Sequence, residues 1–332
     1  MLSSERQLVS FLGERFSWSA PGVRLGIGDD AAVLAPPGAP IVVSVDASVD
    51  GVHFDLGYLT HQDVGYRAFQ AAVSDLAAMG AEPLAALSAL VLPRQLSSDA
   101  IDQLTAGQAL ASRETGCPVV GGNISRGGEL SLTTTVIGRA LEPIQRRGAR
   151  PGEQIWLVGD VGLAAAGLSF LRLQHSRRAR GWGSSSGASA RLLASEAALA
   201  PCVDAWRRPR ARLAEGLALV GRASAAIDLS DGLAADARQL ADASGVRLVI
   251  ERERLRAALS PALWVAQAQL RRSALRFALS GGEDYALLAT GPSARRPDGA
   301  VPIGHVELGR GAFLDEGDRL TLLRGGFDHL KR

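Results

Sequence analysis

The sequence predicts a mixed α/β protein, of the α/β or α+β class, built from two domains. Three observations carry this. The chain has 332 residues, more than one hydrophobic core usually organises. Its composition, 47% hydrophobic and 21% charged, is that of a globular protein. Short β-branched runs alternate with longer segments of helical spacing in both halves.

In chain order, PIVVSVD (40–46) is continuous and β-branched enough for a buried strand that ends on an acid. Residues 61–80 carry apolar side chains at helical spacing and stop at Gly80, a helix C-cap. PLAALSALVLP (83–93) reads as a strand. A helix follows from about Ser98, capped by Ser97 or Ser98, to Gly116. PVVGG and LSLTTTVIGRA read as two further strands joined by a Gly-rich turn. GARPGEQIWLVG (148–159) holds a turn and a strand, and the domain boundary is placed just before it, giving units 1–147 and 148–332. In the second unit, 161–173 and 232–244 suit helices. AAIDLS (225–230), VRLVIE (246–251), YALLAT (285–290) and a C-terminal segment suit strands. HSRRARGWGSSSGASAR (175–191), rich in Arg, Gly and Ser, reads as a mobile surface loop.

The formal net charge is +2, with arginines scattered along the chain, so neither nucleic acid nor a membrane surface is expected as a partner. No run approaches the ~18 apolar residues of a membrane span. The N-terminal MLSSERQLVSFLGERF is charged and lacks the apolar core of a signal peptide. Cys117 and Cys202 lie far apart without metal-type spacing, and read as free buried thiols of a cytoplasmic protein.

The acids are unusual in their placement. Asp29 and Asp30 (GIGDDAAV), Asp46 (VSVDASVDGVHF), Asp75 (AVSDLAAMGA), Asp228 and Asp231 (DLSDGL) and Glu283 and Asp284 (SGGEDYALL) sit among small residues at strand ends and turns. One such acid is a cap or an Asx-turn. A whole set without matching buried lysines needs another counter-charge. Divalent cations supply it, because Mg²⁺ takes carboxylate and water oxygens together with substrate phosphates. Converging acids could hold several ions against a polyphosphate, which points to metal-dependent phosphoryl transfer. The P-loop, the protein-kinase motifs and the dinucleotide fingerprint are all missing. GGNISRGGEL could cradle phosphate with exposed backbone N–H groups or form a plain hairpin turn.

In order, GIGDDAAVL, VSVDASVDGVHF, AVSDLAAMGAEP, GGNISRG, AIDLSDGLAAD and SGGEDYALL resemble the thiamine-monophosphate kinase family over essentially the whole chain. That family belongs with aminoimidazole ribonucleotide synthetase and selenophosphate synthetase. The resemblance implies a two-domain PurM-like (aminoimidazole ribonucleotide synthetase-like) fold whose N-terminal domains pair in a homodimer. It implies direct transfer of the γ-phosphoryl group of ATP to thiamine monophosphate, with several Mg²⁺ ions and no covalent phospho-enzyme. Residue by residue, Asp30, Asp46, Asp75, Asn123, Asp228 and Asp231 match metal-site positions. Gly122, Asn123, Arg146 (with Arg147 as a rival) and Ser230 match nucleotide contacts, while His53, Glu283 and Phe327 match substrate contacts. Asp29 is expected to hold its turn through backbone hydrogen bonds or to reach metal through water.

On residue type alone, His53 is equally a satisfied polar group beside Phe54, Phe327 a C-terminal core residue and Glu283 an exposed turn acid. Two departures stand out. Asn123 replaces the family's usual Asp, and Val45, followed by Ala47, replaces a hydroxyl residue before Asp46. They leave a weakened nucleotide- or thiamine-phosphate-binding homologue as an alternative, beside a related kinase with another small acceptor.

Overall fold

The β-branched runs of each half gather into a sheet of their own. The computed structural model describes residues 23–25, 29, 32–34, 40–179 and 186–326. The first sheet holds β1 (Val23–Leu25), β2 (Ala32–Leu34), β3 (Ile41–Val49), β4 (Glu82–Pro93), β5 (Val119–Gly127) and β6 (Ser131–Arg139), in the order β1-β2-β3-β6-β4-β5. The second holds β7 (Gln154–Val158), β8 (Ala225–Asp228), β9 (Arg247–Glu251), β10 (Leu287–Gly291), β11 (Ala300–Glu307), β12 (Gly311–Asp315) and β13 (Leu320–Leu322), in the order β13-β12-β9-β11-β7-β10-β8. Neighbours pair antiparallel except β4 with β5 and β9 with β12. The helices are α1 (His61–Ala78), α2 (Ser98–Thr115), α3 (Leu163–Ala179), α4 (Ser186–Arg207), α5 (Leu213–Leu219), α6 (Leu233–Ser244), α7 (Arg252–Ala258), α8 (Pro261–Leu270) and α9 (Ala274–Ser280).

Helix α1 organises the molecule. Thr60 and Asp63 close a capping box at its start, and beyond Ala78 the amide of Ala81 returns to the carbonyl of Leu76 around Gly80 at φ 60°. Its side chains enter three apolar clusters. Val64 and Ala68 join the large core, Phe69, Val73 and Leu76 the first sheet, and Ala77 and Ala78 the second sheet beside Trp156 and Leu287. A helix so enclosed must satisfy its buried polar groups internally. Gln70 accepts from the amide of Ala211, Ser74 donates to Asp228 and Arg67 pairs with Glu283. All three bonds reach the C-terminal half.

Helices α1 and α2 cross almost backbone to backbone. A Cβ on Gly65 would lie 1.9 Å from the carbonyl oxygen of Leu104, and one on Gly107 would lie 2.0 Å from that of Gln62.

Two expectations change. The Gly-rich turn after PVVGG comes later and is shorter than expected, because β5 runs on through VVGGNISRG beside β4 and leaves residues 128–130 to lead into β6. Gly122 is at φ 152°, and a Cβ there would sit 1.8 Å from the carbonyl oxygen of Ser88, so glycine serves close strand packing. Residues 175–191 are not one loop either, since α3 continues to Ala179 and α4 starts at Ser186. Arg is a good helix former, and the exposed His175 and Ser176 mark a solvated helix rather than a loop. Residues 180–185 lie outside the described residues. Both cysteines are free and buried, and burial pushes each thiol up to about 11.

Candidate active site

A cleft of about 630 Å³ opens between the two sheets. Its wall includes Asp46 from β3, Asp75 from α1, Asp228, Ser230 and Asp231 from the end of β8, and Glu283 from the turn before β10. His53 lines it from the loop after β3. Seven of the expected site residues, far apart in sequence, thus share one cavity.

Local structure explains each placement. Alternation along β3 puts Ser44 and Asp46 on one face and leaves Val45 exposed on the other. The Ser44 hydroxyl donates to Asp75 Oδ2 at 2.5 Å. A hydroxyl therefore stands against one of the acids from the residue before Val45. The Ser74 hydroxyl holds Asp228 Oδ2 at 2.8 Å. Positions 67, 71 and 75 recur at four-residue steps, so one stripe of α1 lines the cleft. His53 Nδ1 accepts from the amide of Val49 at 3.1 Å, so a neutral ring carries its proton on Nε2.

The turn SGGEDY is strained and pinned. Glu283 and Tyr285 have φ of 65° and 49°, backbone conformations that L side chains rarely adopt. The amides of Glu283 and Tyr285 bond the carbonyls of Ser230 and Leu229, clamping this turn to DLSDG. The Glu283 carboxylate takes Arg67 Nη2 at 2.6 Å and Trp206 Nε1 at 2.7 Å. Asp284, its neighbour, turns away and accepts from the amides of Gly162 and Ala164 at the start of α3.

Other expected residues lie elsewhere. Arg146 is held by Asp29, which accepts its amide at 3.1 Å and faces its Nε at 3.7 Å, and by Gln239 Oε1 at 2.8 Å. Asp29 thus holds backbone, that of residue 146. Arg147 instead bonds Gln145. Neither arginine lines the cleft, and neither do Gly122 and Asn123, which sit on the exposed edge strand β5. Asp30 and Phe327 lie outside the described residues.

Sequence reasoning passed over Arg67, Trp206 and Asp236. Asp236 is buried in the first turn of α6, accepts the amide of Asp231 at 3.1 Å, and is held well above the usual carboxylate range by burial and then by Asp231 and Asp228. It closes the quoted motif AIDLSDGLAAD, which was the available signal. Arg67 offered none, since a basic residue inside a helix normally marks its solvated face.

The donors on offer for a metal are carboxylates with hydroxyls beside them, a hard-oxygen set that suits Mg²⁺. Among the described residues, no group of three His, Cys, Asp or Glu is placed to hold an ion by itself. The set fits an ion that brings water and phosphate oxygens with it rather than one in a closed protein cage.

Residues 28–140 match the family model "AIR synthase related protein, N-terminal domain". The thiamine-monophosphate kinase of Aquifex aeolicus (strain VF5) is 33% identical over 87% of this chain and 89% of that protein. That of Escherichia coli (strain K12) is 33% identical over 99% of both chains. A solved structure described as "AaThiL complexed with AMPPCP and TMP" superposes with a TM-score of 0.86 at 30% identity, covering 98% of this chain and 97% of the other. With this identity running nearly end to end, the chain belongs to the thiamine-monophosphate kinase family.

Proposed function

We propose that this protein transfers the γ-phosphoryl group of ATP to a terminal phosphate oxygen of thiamine monophosphate, yielding thiamine diphosphate and ADP. The observation that carries the reading is the convergence of Asp46, Asp75, Asp228 and Asp231 with Ser230, His53 and Glu283 on one cleft. The acceptor oxygen is already anionic at neutral pH, so no strong general base is required. Positioning and charge neutralisation do the chemistry. Mg²⁺ bound with the nucleotide would neutralise charge on the transferring group. Asp46, Asp75, Asp228 and Asp231 would hold it, joined by Asp30. Ser44 and Ser74 fix two of these carboxylates in advance. Ser230 is assigned to ATP, and His53, Glu283 and Phe327 to the acceptor; Gly122, Asn123 and Arg146 lie outside the cleft and are assigned to ATP on the family resemblance alone.

The same reading assigns residues 1–147 to ATP and metal binding and to dimerisation, and 148–332 to the second domain, in a cytoplasmic homodimer. The exposed Val45 and Leu87, in line across β6 on one face of the first sheet, and Val120 on its edge strand support the pairing. Among the described residues no helix is long and apolar enough to cross a membrane.

Incubation with ATP, Mg²⁺ and thiamine monophosphate tests the reading by product formation. Asp75→Asn should lower turnover on the order of 100-fold while leaving the melting temperature nearly unchanged. Undiminished turnover would remove Asp75 from the metal site. Tight ligand binding without any product in the unmodified protein would instead favour the weakened homologue that Asn123 suggests.

A further inference from the structure

We infer that Arg67 and Trp206 are positioning residues for the acceptor, acting through Glu283; this rests on the kinase reading above. Each oxygen of the Glu283 carboxylate receives one protein donor, Arg67 Nη2 on Oε1 at 2.6 Å and Trp206 Nε1 on Oε2 at 2.7 Å. The donors also fix one another. The Arg67 guanidinium stacks over the Trp206 ring at 4.6 Å and donates through Nη1 to the Trp206 carbonyl. Three side chains from α1, α4 and the SGGEDY turn are thereby locked in one arrangement.

The location distinguishes this from an ordinary structural ion pair. The Arg67 side chain is 6% exposed, whereas that of Glu283 is 29% exposed and faces the cleft. Taking a charged pair out of water is costly, and a buried pair is weak evidence for stability. What this pair gains is a carboxylate with no rotational freedom and one lone pair free on each oxygen. A donor group on the acceptor then meets an acceptor of fixed direction, without the entropy loss of ordering a mobile side chain. The left-handed backbone at Glu283 points the same way, since strain persists only where the surroundings over-determine it.

Trp206→Phe tests this, because it removes the N–H while keeping an aromatic ring, a smaller one, under Arg67. One hydrogen bond to a charged group corresponds to roughly a tenfold effect. The KM for thiamine monophosphate should rise about tenfold, with the KM for ATP and kcat close to unmodified values, while the smaller ring at a fully buried position lowers the melting temperature. Arg67→Lys keeps the charge but not the planar fork, and should raise the same KM. In a Glu283→Ala background, which leaves no acceptor for the indole N–H, Trp206→Phe should raise that KM no further, because both act through one group. An unchanged KM in Trp206→Phe, or additive effects in the double variant, would overturn the inference while the kinase reading stood. Failure of the unmodified protein to form thiamine diphosphate would overturn the kinase reading, and the inference with it.

Discussion

Asp284 shows how differently adjacent acids can be used. Glu283 faces the cleft, while Asp284 caps α3 by accepting from Gly162 and Ala164 at 2.5 and 3.0 Å. Burial raises its carboxyl from 3.8 to about 7, with those two amides pulling the other way. The folded state therefore binds this proton more tightly than the unfolded chain. Its contribution to stability is complete below about pH 4 and is lost as pH rises through about 7. Asp284→Asn cannot ionise and retains an oxygen to accept an amide. Its stability relative to the unmodified protein should therefore improve between about pH 4 and about pH 7, checked by urea unfolding across that range. Parallel pH profiles for the two proteins would contradict the assignment. At this scale the sequence was readable where acids stood among small residues. It was unreadable at Arg67 and Trp206, whose roles arise only from contacts across the chain.

At the scale of elements, the crossing of α1 and α2 depends on Gly65 and Gly107. In an exposed helix, Gly→Ala is stabilising by about 1 kcal/mol. Here the added methyl meets a backbone carbonyl at 1.9 Å, and overpacking costs about 1–3 kcal/mol or more. Gly65→Ala should therefore be net destabilising, and chemical denaturation gives its size and sign. Element positions were largely legible, because caps and periodicity are local signals. Ser97 caps α2 and Gly116 ends it in the left-handed conformation, as the sequence indicates. The failures were where composition misled. Glycines in β5 indicated a turn but permit close strand approach, and the polar 175–179 segment indicated a loop but extends a helix. Which strands pair, and that both sheets are mostly antiparallel, depends on contacts that periodicity does not encode.

At the scale of the whole molecule, the first sheet exposes Val45 and Leu87 on one face and Val120 on its edge strand, apolar surface that an unpartnered chain has little reason to present. Val120→Asp, with a charge at a site 63% exposed, should leave the fold intact and shift a dimer toward monomer. Light scattering reads the mass directly, and an unmodified protein that is already monomeric would remove the dimer. The fold and family were legible because the motifs sit at turns whose sequences are short and specific. Their meeting in one cleft was legible only through the resemblance, since the residues concerned span positions 46 to 283.

Helix α1 brings both Arg67 and, eight residues further on, Asp75 to the cleft wall. Eight residues of a rigid rod separate them by about 12 Å. On the proposed assignment of Glu283 to the acceptor and Asp75 to the metal, that interval would act as a ruler. A molecule anchored at Glu283 would be presented for transfer only when its own length carried its phosphate across it, so selection would be by reach as well as by chemical group.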